Sequence, residues 1–199
     1  MDAREPGPGV IRKPRADAER NRIRLMQAAK AAFTELGADV PLEEIARRAG
    51  VGIGTLYRHF PTRDVLLTEV YRHAVEQLAE AAARLSKTLT PVDALRSWMR
   101  LFVDYVATKQ VVAPALNAMS GGAAGLYASS GPTIKTAISQ LIDRAVTNGD
   151  IRLDLEPFDL LRALMGVANI NNGPGWQARA HILIDILITG LRIQRPSPS

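Results

Sequence analysis

From Ile23 to Leu191 the apolar residues of this chain recur at steps of three and four, and almost nowhere do they alternate with a period of two over the length of a strand. That spacing places side chains on a common helix face, turn after turn, and predicts an all-α fold. Pro and Gly interrupt the pattern in the first fifteen residues, at GGAAGLYASSGP (121–132), at NNGPG (171–175) and at RPSPS (195–199). With these breaks the pattern predicts about nine helices, near 18–36, 42–49, 53–60, 62–85, 92–109, 112–120, 133–148, 157–170 and 176–193. The chain has 199 residues, 47% of them hydrophobic and none of them Cys. Apolar burial must therefore hold the fold, and disulfide frameworks, thiolate metal sites and cysteine nucleophiles are excluded.

The most informative stretch is LEEIARRAGVGIGTLYRHFPTRDVLL, starting at Leu42. Before it, Ile23, Met26, Ala29, Phe33 and Leu36 form the buried stripe of a first helix that Gly37 closes. In the second, Leu42, Ile45, Ala46 and Ala49 face inward and Arg47 and Arg48 outward. Gly50 makes the turn. In the third, Ile53, Leu56 and Phe60 face inward and leave Thr55, Tyr57, Arg58 and His59 to a partner. Pro61 stops it, and Thr62 caps the fourth helix. Two short helices joined by a tight glycine turn form a helix-turn-helix, whose second helix enters the DNA major groove. Arg58 suits a guanine edge, Thr55 offers a methyl and a hydroxyl, and Tyr57 and His59 reach phosphates or bases. Gly52 and Gly54 strip bulk where helix N–H groups meet a phosphate. Thr62 and Arg63 make a second anion site, and Arg22, flanked by Arg20 and Arg24, adds contacts from the first helix. Arg47 and Arg48 either touch phosphate or are solvated.

Charge fits this reading. Lys and Arg number 25 against 20 Asp and Glu, and 20 of the 25 are Arg, whose planar fork suits phosphates and guanine. Residues 10–24 carry six basic and two acidic side chains, a net +4, which fits either a phosphate-tracking arm or a solvated tail. Other functions lack their signatures. GVGIGTL has GxGxG spacing after a helix, whereas a dinucleotide site needs GxGxxG after a strand. His59, His73 and His181 are scattered, and neither a nucleophile–base pair, a metal cluster nor a cofactor loop is evident, so the expected protein is no enzyme and has no metal or cofactor. The N-terminal residues lack the apolar core of a signal peptide, and the stretch 182–193 is broken by Asp185 and Arg192, short of the ~20 residues of a membrane span. The expected location is the cytoplasm, with no membrane partner.

The features FTELGA, EEIARRAGVGIGTLYRHF and PTRDVLL, in that order and spacing over residues 18–72, resemble the tetracycline-repressor (TetR) family of bacterial transcriptional regulators. The resemblance implies that Thr55, Tyr57, Arg58 and His59 contact DNA, that Gly52 lies at the recognition-helix cap and that Arg63 touches phosphate. Two departures stand out: Val40, followed by Pro41, replaces a Thr that often caps the second helix, and Gly52 lacks the Ser hydroxyl often found there. It further implies a homodimer that binds double-stranded DNA at an inverted-repeat operator and is released by a small-molecule effector, with a repressor as the default sense.

Beyond the motif the reading is coarser. The expected organisation is a basic, disordered arm at 1–17, the helix-turn-helix domain at 18–62, a ligand-binding and dimerisation domain at 63–194 and a disordered tail at 195–199. Helices 157–170 and 176–193 are apolar on more than one face, which predicts burial against a second subunit through Leu161, Leu164, Ile184, Leu187, Ile188 and Leu191. Trp98, Phe102 and Tyr105 share a face that is either a pocket wall or core. Asn169 and Asn172 with Trp176 either bind a ligand or cap a turn; Met119 and Met165 complete the candidate pocket. The segment 121–132 is a lid or a connector. The alternative function is a small-molecule-binding or scaffold protein of the same fold that no longer binds DNA.

Overall fold

A computed structural model of the chain describes residues 13–119, 121–170, 173 and 175–193. They form eight helices: α1 (Lys13–Leu36), α2 (Leu42–Ala49), α3 (Ile53–His59), α4 (Arg63–Thr88), α5 (Pro91–Ala118), α6 (Ala124–Thr147), α7 (Pro157–Ile170) and α8 (Trp176–Leu191). Among the described residues the fold is all-α. An isolated antiparallel bridge between Ile151 and Arg192 ties the α6–α7 connection to the end of α8.

α1, α4, α5 and α6 are longer than the punctuation predicts, and among the described residues there is one helix fewer. α1 starts at Lys13, so residues 13–17, expected in the arm, are helical; Pro14 falls in the first turn, where a missing N–H breaks no helical bond. The helices expected at 92–109 and 112–120 are the single α5. No Gly or Pro separates Lys109 from Val112, and Pro114 removes only one internal hydrogen bond. The segment 121–132, expected as a loop, is a turn at Gly121 and Gly122, with φ of +91° and +62°, followed by the first turns of α6, which contains Pro132. The expected arm at 1–12 and the tail lie outside the described residues.

One apolar core includes residues of all eight helices. α2 and α3 pack on α1 and on each other, while α4 packs against α1, α5 and α6. The long α4 thus belongs both to the α1–α3 headpiece and to the body behind it. In α1, Met26, Ala29 and Phe33 are buried, together with Leu25 and Ala32. Leu36, expected in the same stripe, is 56% exposed, since the helix ends there at the Gly37 turn, where φ is +88°.

α8 buries Trp176, Ala180, Ile184 and Ile188, a four-residue repeat down one face. Of the residues expected at a subunit interface, Leu161, Leu164, Ile184 and Ile188 are at most 2% exposed within a single chain and belong to the protomer's own core. Leu187 and Leu191 are half-buried on the same core. The apolar residues that α8 turns outward are Ile182 and Ile186, 61% and 59% exposed. A helix apolar all round shows that neither face is meant for water, but not which face the protomer itself covers. Among the described residues no helix is long and apolar enough to cross a membrane.

Candidate nucleic-acid interface

The α2–α3 turn is set by Gly50, which lies in the left-handed region at φ +66°. The N–H of Val51 donates back to the Ala46 carbonyl at 3.0 Å, closing α2 with a left-handed C-terminal cap. A Cβ at position 50 would stand 2.6 Å from Nη2 of Arg24. The conformation therefore calls for glycine, whereas the space could be made by moving the flexible end of Arg24. Beyond the turn, Leu56 and Phe60 are fully buried and anchor α3 to the core.

On the other side of α3, Tyr57 is 46% exposed and Arg58 is exposed, with Thr55 and His59 half-buried beside them. Arg58 has no ion pair or hydrogen bond among the described residues, which leaves its five N–H donors unspent there. Gly52 and Gly54 are exposed with open space above their Cα atoms.

The other expected cations are already engaged. Arg47, 72% exposed, holds Glu44 through Nε and Nη2 at 2.8 and 2.7 Å. Arg48 bridges Glu44 at 2.8 Å and Glu35 at 2.6 Å, linking α2 to α1. Hydrogen bonds from Arg47 and Arg48 hold the Glu44 carboxyl at about 2, well below its ordinary 4.5. Arg63 donates to the carbonyls of Ala38 and Val40 at 2.7 and 2.8 Å, fastening the α1–α2 connection to the start of α4. Arg22 donates to Glu69 of α4 and lies over the Phe60 ring, 5.6 Å from its centroid. Thr62 caps α4, its Oγ1 accepting from the Val65 N–H at 3.2 Å. α2 has no such cap: Pro41 occupies the position with no side-chain hydrogen bond, and Val40 is buried.

The body residues expected around a ligand are mostly packed into the core. Trp98 is 0% exposed, donates from its indole N–H to the Leu78 carbonyl at 2.7 Å and stacks on Phe102 with centroids 6.0 Å apart. The hydroxyls of Tyr105 and Tyr71 are 2.9 Å apart; burial, and then this contact, push the Tyr105 hydroxyl well above its usual range. Of the aromatic trio, Tyr105 borders a groove of about 300 Å3 among α1, α4 and α5. Met119 lines another, of about 270 Å3. Met165 is half-buried on the core and Trp176 is buried. Asn172 and the Asn169 side chain lie outside the described residues. The expected set is thus not gathered around one cavity.

Sequence reasoning passed over Glu69, Tyr71, Lys109 and Tyr127. Tyr127 packs edge-on to Tyr71 at 5.4 Å, and the Lys109 ammonium sits 4.7 Å above its ring, with burial pulling that amine below its ordinary value. The i,i+3 pair of Glu69 with Arg72 was the one local signal; the contacts of Tyr71, Lys109 and Tyr127 join different helices and leave no mark in the spacing.

Comparison with known proteins agrees with this geometry. Residues 25–70 match the family described as bacterial regulatory proteins, tetR family, and residues 90–193 match the family described as transcriptional regulator SbtR-like, C-terminal domain. A crystal structure of a TetR transcriptional regulator from Streptomyces coelicolor is 41% identical, covers 87% of this chain and 99% of its own, and superimposes with a TM-score of 0.80. A TetR regulator from Mycobacterium vanbaalenii is 31% identical over 90% of this chain and 99% of its own, with a TM-score of 0.71. An HTH-type transcriptional regulator of Staphylococcus aureus is 36% identical over 70 residues, 34% of this chain; the match spans about a third, 36%, of that regulator's length.

Proposed function

This chain belongs to the TetR family of transcriptional regulators, and on that premise we propose that it works as a twofold dimer on an inverted-repeat operator. A small-molecule effector binding in the body releases it from the DNA, in the sense of a repressor, and its place of work is the cytoplasm. The observation that carries the reading is the outward side of α3, where exposed Arg58 has no partner among the described residues and stands beside exposed Tyr57 while Leu56 and Phe60 lock the helix from beneath. In this reading Arg58 and Thr55 meet base edges, and Tyr57 and His59 meet phosphates or bases. Gly52 lets the DNA backbone approach, and Thr62 and Arg63 flank it at the start of α4. Arg47 adds to the positive field, while Arg48 and Arg22 act chiefly by holding α2 and α4 to α1. Two such helices must be carried at fixed separation to fit successive major grooves. The exposed Ile182 and Ile186 supply an apolar surface for that pairing.

The uncapped start of α2 favours the second reading, a small-molecule-binding protein of this fold that has given up DNA. Selection of bound fragments from random duplex DNA separates the two. The expected result is one palindromic consensus. An unenriched pool from folded, dimeric protein supports the second reading.

A further inference from the structure

Between the N-terminal half of α4, the end of α5 and the first turns of α6 lies the cavity of about 270 Å3. Leu116, Met119 and Leu126 give it an apolar wall, and Thr68, Arg72 and Ser129 a polar rim. Arg72 donates to Oε1 of Glu69. The other oxygen of that carboxylate accepts from Arg22, the cation that lies over Phe60 at the end of α3. One carboxylate is therefore shared between the cation at the cavity rim and the cation that clamps α1 to α4.

We infer that this cavity binds a small amphiphilic carboxylate, whose headgroup takes Arg72 in place of Glu69 and whose alkyl or aryl body covers Leu116, Met119 and Leu126. A guanidinium presents paired N–H donors that match a carboxylate, and the Thr68 hydroxyl adds a donor at the rim, whereas the Ser129 hydroxyl donates to the Leu126 carbonyl at 2.9 Å. The apolar wall selects against a bare inorganic ion, which would leave it in water. Occupation draws Arg72 away from Glu69 and so changes how Glu69 holds Arg22. Ligand and headpiece geometry are then coupled, and reciprocally so. The inference deepens the effector reading above and rests on it only for this last step; the binding site itself requires no DNA.

The test is calorimetric titration of the whole protein with octanoate, octan-1-ol and inorganic phosphate, in the absence of DNA. Octanoate binds the wild type, and Arg72→Gln weakens it by about tenfold, the scale of one charge-assisted hydrogen bond. Glu69→Gln tightens it severalfold, because the competing carboxylate charge is gone. Arg84→Gln, a change on the same helix at the other groove, leaves it unaltered. Octan-1-ol binds more weakly than octanoate and is indifferent to Arg72, and phosphate fails to displace octanoate. Absence of octanoate binding, equal affinity for Arg72→Gln and wild type, equal affinity for the alcohol, or displacement by phosphate each overturns the proposal. Octanoate binding by a preparation that ignores DNA sinks the regulator reading and leaves the site standing.

Discussion

In the headpiece the residues singled out for chemistry stand at the surface, whereas in the body most of them have turned inward. Tyr57 and Arg58 are exposed on α3; Trp98 and Phe102, picked by the same kind of spacing argument, are core. A short amphipathic helix anchored by Leu56 and Phe60 has a buried side and a free side, so its free side can be read from periodicity. A 28-residue helix such as α5 is surrounded by α1, α4, α6, α7 and α8. Periodicity then marks what is buried, without distinguishing burial against protein from burial against a ligand.

Trp98→Ala breaks the comparison most sharply. As core, the substitution removes a stacked ring and a hydrogen bond to Leu78, at a cost of about 3–5 kcal/mol in denaturant unfolding. A loss below about 1 kcal/mol makes that face a pocket wall, and body and headpiece are then equally legible. On the headpiece side, Arg58→Ala leaves the unfolding midpoint in place and costs about 1–3 kcal/mol in DNA binding, with relaxed preference at one base pair. An unchanged sequence profile removes Arg58 as a base reader. Gly50→Ala forces a side chain into the left-handed region and displaces Arg24, for about 1–2 kcal/mol in thermal or chemical unfolding. A neutral result means that the turn does not depend on this glycine.

The smallest effect concerns the ion pairs that Glu44 makes with Arg47 and Arg48 within α2. Glu44 is held at about 2 against an ordinary 4.5, so between these values the unfolded chain binds more protons and stability rises with pH. Its contribution is fully present above the ordinary value and disappears as pH falls towards 2. The pair is surface-exposed, so the effect is small. Thermal midpoints of wild type and Glu44→Gln, separate at neutral pH, converge in acid; a gap that widens in acid contradicts the assignment.

The all-α architecture, the glycine turn and the Thr62 cap were legible because each depends on residues a few positions apart. The element plan differs from the fold in two places: α5 crosses residues 110–111, where no Gly or Pro stands to break it, and α6 runs through Pro132 inside the expected loop, since one lost hydrogen bond does not outweigh the packing of a long helix. Contacts between distant parts of the chain were not legible. Glu69 lies 47 residues from Arg22, and the cations of Arg63 and Arg48 are drawn to partners 23 and 13 residues away. Which face of α8 the protomer covers likewise depended on α5 and α7.

The central claim is that two copies of this chain set paired α3 helices against one duplex. Titrating the protein into a fluorescent duplex bearing the selected palindrome, and into a single half-site, at two salt concentrations tests it most directly. The account predicts two chains per palindrome, markedly weaker binding to the half-site and affinity that falls steeply as salt rises. Equal affinity for half-site and palindrome, or no binding to any duplex at low ionic strength, contradicts it.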